Sequence, residues 1–288
     1  MAGGRDFIGP FQMIRLIRTG NTTQVWEAIR EGEKERVALK ILHKEFAKDK
    51  EQIEQLKHET LVAQSMDHPN VIKVYGYHHE YGIPFISMQL FNARNLKLEL
   101  RDRPEFVEIN LPQIVRRSAD ALAHMHERGW IHCDVKPDNF LADEQANLKL
   151  IDFAIAQKLK TGFSLFGTRQ KVVRGTRSYI SPEQIRHQKL DARADIYSFG
   201  CVLYELSSGK LPFTAVNADD LLNKHLKAPV SSLQAADNRI TAEFAALVTR
   251  MLSKKPEGRP ASMRDFLLEF ERVQIYRAGT RRRHALNE

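Results

Sequence analysis

Two acidic residues in the stretch WIHCDVKPDNFLADEQANLKLIDFAIAQ, Asp134 and Asp152, each lie against a short apolar run, and Lys136 and Asn139 lie between them. An ammonium group can neutralise an anion, while carboxylate and amide oxygens are ligands for hard cations. The same residue types are common in loops, where they cap helices and close turns. These four residues are therefore candidates for chemistry on a charged group, and the alternative is that they only stabilise loops.

A second pair of charged residues lies earlier in the chain. Lys40 ends the strand-like run VALK, where a lysine is usually a solvated strand end. Glu59 falls on the same stripe of a predicted helix as Leu56 and Ala63. A carboxylate on a buried face is costly unless a cation pairs with it. The pattern therefore indicates that Glu59 needs a positively charged partner.

The elements around these residues change character along the chain. Residues 11–46 alternate apolar and polar residues between turns, which predicts a strand meander, and residues 48–66 have helical spacing. Two further strand-like runs follow, VIKVYGYH and IPFISMQL, and the pattern is mostly helical from about residue 94. Within that part, residues 139–152 predict two short strands about a turn, which would bring Asn139 back towards Asp152. The prediction is an α+β chain with a β-rich part followed by a larger α-rich part.

Composition excludes several classes of protein. With 288 residues, 42% hydrophobic and 28% charged, the chain is typical of ordinary globular proteins. Its two cysteines form no disulfide framework, so we expect a reducing, cytoplasmic location. We find no signal-peptide core and no apolar run long enough for a membrane span. The net charge of +8 favours acidic or phosphate-bearing partners, but no pattern typical of nucleic-acid-binding modules is present.

Several motifs follow one another in a fixed order: VALK, HCDVKPDN, DFA, GTRSYISPE and KKPEGRPA. Together, over roughly residues 11–273, they resemble the eukaryotic-type protein kinases of the Ser/Thr type, with HCD in place of HRD and DFA in place of DFG. The resemblance implies a two-lobed α+β fold, with a small antiparallel sheet and one main helix in the first lobe. It divides the chain into an N-terminal extension, a nucleotide-binding lobe, a catalytic α-helical lobe and a basic tail, at residues 1–10, 11–90, 91–273 and 274–288.

The resemblance also implies roles for the charged residues. Asp134 would accept or orient the proton of the attacking hydroxyl, and Lys136 would neutralise the moving phosphoryl group. Asn139 and Asp152 would bind Mg²⁺, or Mn²⁺ in its place. Lys40 would position the phosphates of ATP, and Glu59, at the helix position where kinases keep a glutamate, would hold the lysine. We therefore predict a Lys40–Glu59 ion pair.

The same resemblance implies a nucleotide-binding set. Each of its apolar members, taken alone, is equally explained as plain core. The implied set is Ile17, Gly20, Val25, Ala38, Lys40, Met88, Gln89, Phe91, Leu141 and Asp152.

Three departures from the family pattern carry information. The glycine-rich loop reads RTGNTTQV and keeps only Gly20, so we expect weaker or more mobile phosphate contacts without loss of binding. Cys133 replaces an arginine that pairs with a phosphorylated loop in many kinases, and a thiol cannot hold a phosphate as a guanidinium does. We therefore expect activity to depend little on such phosphorylation. Ala154 replaces a glycine, which would restrict the flexibility of the segment after Asp152.

The segment before Glu183 resembles the substrate-docking loop of the family. There Thr176 would hydrogen-bond Asp134 and Lys136, and Glu183 would pair with Arg259. Asp195 would accept backbone donors of the catalytic loop. The segment also holds the hydroxyl residues Thr161, Ser164 and Thr168 and the basic residues Lys158, Lys160, Arg169, Lys171, Arg174 and Arg177. We interpret it as a basic loop, with docking of acidic or phosphorylated substrates as the alternative.

The predicted function is transfer of the ATP γ-phosphoryl group to Ser or Thr hydroxyls of a protein substrate. The alternative is a pseudokinase that binds nucleotide or partners without efficient transfer, which the eroded glycine loop, Cys133 and Ala154 favour. A small-molecule kinase is disfavoured, because that class typically lacks both a lysine at the position of Lys136 and a loop of the form GTxxYxxPE. The basic tail is a solvated end or, in a longer parent protein, a juxtamembrane linker. The sequence predicts no oligomeric state.

Overall fold

The computed structural model describes residues 7–159 and 175–279 of the chain. It divides into two compact units. The first contains the chain up to Asn92 together with Ile151–Ala154, and the second contains Ala93–Leu150 and the chain from Ile155 onward.

This division differs from the predicted domains in more than one respect, because Phe7–Ile8 of the predicted N-terminal extension pairs into the first unit's sheet and Tyr276 of the predicted basic tail is buried. The first break follows Asn92, close to the predicted boundary after residue 90. The segment Ile151–Ala154 was assigned to the second domain from the sequence, but in the structure it groups with the first unit. The reason is local, because Asp152 pairs with Lys40 of the first unit.

The first unit is an antiparallel sheet with one long helix beside it. The sheet has six strands in the order β1-β2-β3-β4-β6-β5. The strand meander and the helix predicted from hydrophobic spacing are confirmed. The elements are β1 Phe7–Ile8, β2 Phe11–Thr19, β3 Thr23–Arg30, β4 Arg36–Leu42, α1 Lys50–Gln64, β5 Val74–Glu80 and β6 Ile83–Gln89.

Helix α1 begins where its sequence provides a cap. The Asp49 side chain accepts hydrogen bonds from the backbone N–H groups of Glu51 and Gln52, at 2.8 and 3.2 Å. These bonds satisfy donors that have no partner inside the helix. The buried face of the helix carries Leu56 and, three residues later, Glu59. The helix therefore directs one carboxylate into the interior of the first unit.

The second unit is mainly helical. Its elements are β7 Arg94–Asn95, α2 Leu96–Asp102, α3 Pro104–Glu127, β8 Trp130–Ile131, β9 Phe140–Ala142, β10 Leu148–Leu150, β11 Gln157–Lys158, α4 Pro182–Ile185, α5 Arg193–Ser208, α6 Ala218–Lys227, α7 Leu233–Ala236, α8 Ala242–Met251 and α9 Met263–Phe270. Strands β10, β9 and β7 form one small sheet, and β11 pairs with β8 in another. The α+β class is thereby confirmed.

Two elements of the second unit position the candidate site. Strands β9 and β10 form the predicted hairpin, whose turn is closed by Asp143, which accepts hydrogen bonds from the N–H groups of Gln145 and Asn147 at 3.0 and 2.7 Å. Helix α5 is buried nearly all round, as its apolar sequence predicts, and ends at Gly209, whose φ of 71° is left-handed.

In the described ranges, none of the helices combines the length and the apolar character that crossing a membrane requires.

Candidate active site

Lys40 and Glu59 form the ion pair predicted from the sequence. Lys40 lies on β4 and Glu59 on the buried face of α1. The lysine Nζ donates to both carboxylate oxygens of Glu59, at 2.7 and 3.0 Å. The lysine side chain is 16% exposed and the glutamate side chain 5%. The pair is therefore largely withdrawn from water. Its electrostatic interaction is stronger in this position than it would be in water.

Asp152 completes a charged group of three within the first unit. Its Oδ1 lies 3.1 Å from the Lys40 Nζ. Burial alone would lower the pKa of Lys40, but the Asp152 and Glu59 carboxylates outweigh it and raise that pKa, so the ammonium stays charged. Burial raises the pKa of Glu59, and the Lys40 ammonium opposes that rise. The Lys40 ammonium thus pairs with two carboxylates.

The backbone at Asp152 is held in an unusual conformation. Its φ of 68° lies in the left-handed region, which is uncommon for residues other than glycine. Such conformations persist where the surroundings determine them, and they concentrate at functional sites. The following residue, Phe153, is fully buried. A buried anchor on one side and the ion pair with Lys40 on the other therefore fix the direction of the Asp152 carboxylate.

One face of the sheet gathers several members of the implied nucleotide set. Val25 is paired with Lys40, and Ala38 with Met88, across neighbouring strands. Directly paired residues project to the same face, and residues two apart on a strand share that face as well. Val25, Ala38, Lys40 and Met88 therefore line one surface of the first unit.

The other members of the set are distributed differently. Gln89 is paired with Val37, one register position from Ala38 and therefore on the opposite face. Ile17 lies at an irregularity of the β2–β3 pairing and is 42% exposed. Phe91 follows β6 in the first unit, whereas Leu141 lies on β9 of the second unit.

The remnant of the glycine-rich loop forms a tight turn. The Gly20 N–H donates to the Thr23 carbonyl at 2.8 Å, and Gly20 does not adopt a left-handed φ. His43, just after β4, holds this turn: its Nε2 lies 2.9 Å from the Gly20 carbonyl, and its backbone N–H donates to the Thr22 carbonyl at 2.9 Å. His43 thus stabilises the loop, although the loop lacks two of the glycines of the family pattern.

Asp134 is the centre of a hydrogen-bond network in the second unit. Lys136 Nζ donates to its Oδ2 at 2.6 Å and also to the Thr176 hydroxyl at 2.9 Å. Thr176 in turn donates from its backbone N–H and its hydroxyl to Asp134 Oδ1, both at 2.8 Å. The predicted contacts of Thr176 with Asp134 and Lys136 are therefore present.

Asn139 lies in a short 3₁₀ turn, Pro137–Asn139, directly before β9. Its Nδ2 donates to the backbone carbonyl of Asp134 at 2.9 Å, and the side chain is nearly buried. Because the amide nitrogen is engaged in this hydrogen bond, the side-chain oxygen is the atom through which Asn139 would bind a metal. Asn139 and Asp152 therefore both fit a hard divalent cation by donor type, since such cations prefer carboxylate and amide oxygens.

Asp195 supports the loop that carries Asp134. It accepts hydrogen bonds from the N–H groups of His132 and Cys133, at 2.8 and 2.9 Å, and lies 2.8 Å from His126 Nε2. Burial would raise the pKa of Asp195, but its bonds to His126 and to the loop hold that pKa below its usual value. The carboxylate is thus kept charged as a fixed anchor, as the resemblance predicted for Asp195, while the partner His126 was missed.

Cys133 is a structural thiol. It is 4% exposed, its φ of 67° is left-handed, and burial raises the pKa of its thiol well above the usual range. A neutral buried thiol is a poor nucleophile. The thiol is therefore not a candidate nucleophile, and Cys133 acts in the site through its left-handed backbone conformation.

The segment after Gly175 is tied to the helical unit at two points. Arg259 donates to both carboxylate oxygens of Glu183, at 2.6 and 2.9 Å, which confirms the predicted pair. The Tyr179 hydroxyl donates to Glu205 at 2.6 Å. The predicted hydroxyl and basic residues Thr161, Ser164, Thr168, Lys160, Arg169, Lys171 and Arg174 lie outside the described residues, as do residues 280–288 of the basic tail.

Comparison with known proteins gives one family and many relatives. The protein kinase domain family matches residues 11–268. The serine/threonine-protein kinase PrkC of Bacillus subtilis is 31% identical over 269 residues, which are 91% of this chain and 40% of that protein. PknH of Mycobacterium tuberculosis is 33% identical, over 91% of this chain and 42% of its own length. For pkn3 of Myxococcus xanthus, the identity is 32%, over 94% of this chain and 51% of that protein. The chain thus spans about half of these relatives or less.

Proposed function

Because the chain belongs to the protein kinase domain family, which matches it over residues 11–268, we propose that it transfers the γ-phosphoryl group of ATP to Ser or Thr hydroxyls of protein substrates. Its relatives named above are serine/threonine-protein kinases, so the enzyme is of that class. A boundary between two lobes close to residue 90, as predicted from the sequence, and a cytoplasmic location are part of the same proposal.

The network around Asp134 carries this proposal. A carboxylate with Lys136 at 2.6 Å and the Thr176 hydroxyl at 2.8 Å combines a proton acceptor with a fixed positive charge. Phosphoryl transfer involves little covalent chemistry by the protein, so positioning and charge neutralisation dominate its catalysis. In the proposed role, Asp134 orients the acceptor hydroxyl and receives its proton, and Lys136 neutralises the charge of the phosphoryl group in transit.

The first unit supplies the proposed phosphate-binding charge. Lys40 presents an ammonium that Glu59 holds by two hydrogen bonds, so its position is set before a nucleotide arrives. Val25, Ala38 and Met88 share its face of the sheet and supply apolar contacts for a base. His43 supports the Gly20 turn, which we propose as the cover of the phosphates.

The family uses ATP and a divalent metal ion, and we propose Mg²⁺, with Mn²⁺ as a substitute. Asp152 and Asn139 are the residues that would hold it, each through an oxygen atom. When bound, the ion would neutralise phosphate charge. The Asp152 carboxylate, held beside Lys40, is of the donor type that such a cation prefers.

The proposal is tested with Asp134→Asn, which keeps the size of the side chain but removes the proton acceptor. Help by a general base is worth about 10²–10⁴ in rate, so transfer of ³²P from Mg²⁺-ATP to a generic protein substrate should fall by that factor. Asp219→Asn is the matched control, because Asp219 is an exposed residue of α6. Nucleotide affinity should be unchanged in both variants. Full transfer by Asp134→Asn would refute the assignment, and nucleotide binding without transfer by the unaltered chain would identify a pseudokinase.

A further inference from the structure

The buried side chain of Gln184 connects α4 to the loop that carries Asp134. Gln184 is 8% exposed, and its Nε2 donates to the backbone carbonyl of Cys133 at 2.8 Å. The two residues are 51 positions apart in the chain. A side-chain amide that is withdrawn from water and bonded to a distant carbonyl is a specific tie, because losing the donor would leave that carbonyl buried with one partner fewer.

Ser181 fixes the orientation of this amide. The Gln184 Oε1 accepts hydrogen bonds from the backbone N–H of Ser181 at 3.1 Å and from its hydroxyl at 3.0 Å. The Ser181 hydroxyl in turn accepts from the Gln184 N–H at 3.3 Å, which forms a reciprocal capping box. A backbone N–H can only donate and a carbonyl can only accept. A reversed amide would therefore lose both contacts, and the Nε2 must face Cys133.

The peptide groups on both sides of Cys133 are held from outside the loop. Asp195 accepts a hydrogen bond from the Cys133 N–H at 2.9 Å, and Gln184 donates one to the Cys133 carbonyl at 2.8 Å. The φ of 67° at Cys133 is unfavourable for a residue with a Cβ and needs such restraint. Asp134 is the next residue, so the orientation of the Cys133 carbonyl sets the direction in which the Asp134 backbone leaves.

The same carbonyl is also close to the segment that contacts Asp134. Gly175 has a φ of 115°, and a Cβ there would lie 3.1 Å from the Cys133 carbonyl oxygen and 3.4 Å from the Gln184 Nε2. Thr176, the next residue, donates to the Asp134 carboxylate. Three groups are therefore close together beside Asp134: the Gln184 amide, the Cys133 carbonyl and the Gly175 backbone.

We propose that Gln184 is a positioning residue for phosphotransfer: its amide holds the Cys133 carbonyl and thereby the orientation of the Asp134 carboxylate. The proposal rests on the function proposed above. It gives this chain a tie between α4 and the catalytic loop that involves no phosphorylated residue, at the position where Cys133 replaces an arginine of the family.

The test is Gln184→Glu, measured as a function of pH. Ionised glutamate has no donor and would place negative charge against the Cys133 carbonyl oxygen. Protonated glutamate would donate its O–H to that carbonyl and still accept from Ser181. Burial raises the pKa of a carboxyl group, so the protonated form becomes accessible at mildly acidic pH.

A displacement of about 1 Å at a catalytic group costs up to about a hundredfold in rate, so the kcat of Gln184→Glu should fall roughly tenfold to a hundredfold at pH 8. The ratio of variant to unaltered kcat should then recover severalfold at pH 6. The KM for ATP should stay within about twofold of the unaltered value, because the proposed nucleotide contacts on β3, β4 and β6 are not altered.

Gln188→Glu is the charge-matched control, since Gln188 is exposed four residues later. It should show neither the loss nor the pH-dependent recovery. Gln184→Met removes the donor without adding charge, so it should lower kcat with no recovery at pH 6, and it replaces the glutamate variant if that variant fails to fold.

A Gln184→Glu enzyme with unaltered kcat at pH 8, or with the same fractional loss at every pH, would overturn the proposal. Unaltered kcat in Gln184→Met would overturn it as well. Failure of the proposed function itself would look different, because the unaltered chain would then transfer no phosphate.

Discussion

The Lys40–Glu59 pair allows a prediction whose size follows from the structure. Glu59→Gln keeps the shape of the side chain and one oxygen acceptor but removes the negative charge. In the folded chain, Glu59 accepts two hydrogen bonds from Lys40, at 2.7 and 3.0 Å, in a largely buried position. The variant retains at most one of them, and its NH₂ group faces an ammonium that cannot accept a hydrogen bond.

Breaking a buried pair completely costs about 3–5 kcal/mol, because one charge is left without a partner. Here Asp152 remains 3.1 Å from Lys40 and compensates the ammonium in part. We therefore expect the loss of one hydrogen bond to a charged group, about 1.5–3 kcal/mol in the free energy of unfolding. Urea denaturation at pH 7 measures this change.

The kinetic effect has the same origin. With Glu59 neutral, Lys40 should move towards Asp152, away from the phosphates and onto the carboxylate proposed to hold the metal ion. If the same 1.5–3 kcal/mol is lost from transition-state stabilisation, kcat/KM for ATP falls about tenfold to a hundredfold, since about 1.4 kcal/mol corresponds to a factor of ten.

Glu54→Gln is the matched control on the same helix. Glu54 pairs with Lys57 at 2.8 Å, but both side chains are exposed, at 69% and 48%. Exposed pairs contribute about 0.2–1 kcal/mol, so this variant should change stability little and kcat/KM not at all. If Glu59→Gln matched the unaltered enzyme in kcat/KM, the pair would not position Lys40 for catalysis. A loss of stability alone would assign it an architectural role.

Much of the fold and part of the site follow from local patterns. The meander, α1 and the β9–β10 hairpin were predictable because hydrophobic spacing and turn residues act within a few positions. The need of Glu59 for a cation was predictable for a related reason, since helical spacing alone places that carboxylate on a buried face. The identity of its partner required the resemblance, because no local rule connects Lys40 to a residue 19 positions away.

The contacts that sequence reasoning missed are long-range and polar. The bond from His43 to Gly20 joins the residue after β4 to the turn after β2, and His126 reaches Asp195 across 69 positions. Nothing in their neighbourhood distinguishes these histidines from solvated ones. Gln184 is different, because Ser181 three residues before it is the signature of a capping box, which could have indicated a structured helix start. Its bond to Cys133 could not have been predicted, since it depends on how the loop folds back.

Two further predictions concern buried and loop histidines. Burial lowers the pKa of His225 from 6.5 to about 4, so the imidazole resists protonation in the folded protein. The stability that the neutral imidazole contributes above pH 6.5 should therefore be lost as the pH falls towards 4. At 1.36 kcal/mol per pH unit, the free energy of unfolding should drop by about 2 kcal/mol between pH 7 and pH 5, and His225→Asn should remove that drop in urea titrations. His43→Ala removes one hydrogen bond from the Gly20 turn, so the KM for ATP should rise about threefold to tenfold while exposed His79→Ala leaves it unchanged. An unaltered KM in His43→Ala would mean that the turn does not cover the phosphates, and an undiminished acid dependence in His225→Asn would assign that dependence to other groups.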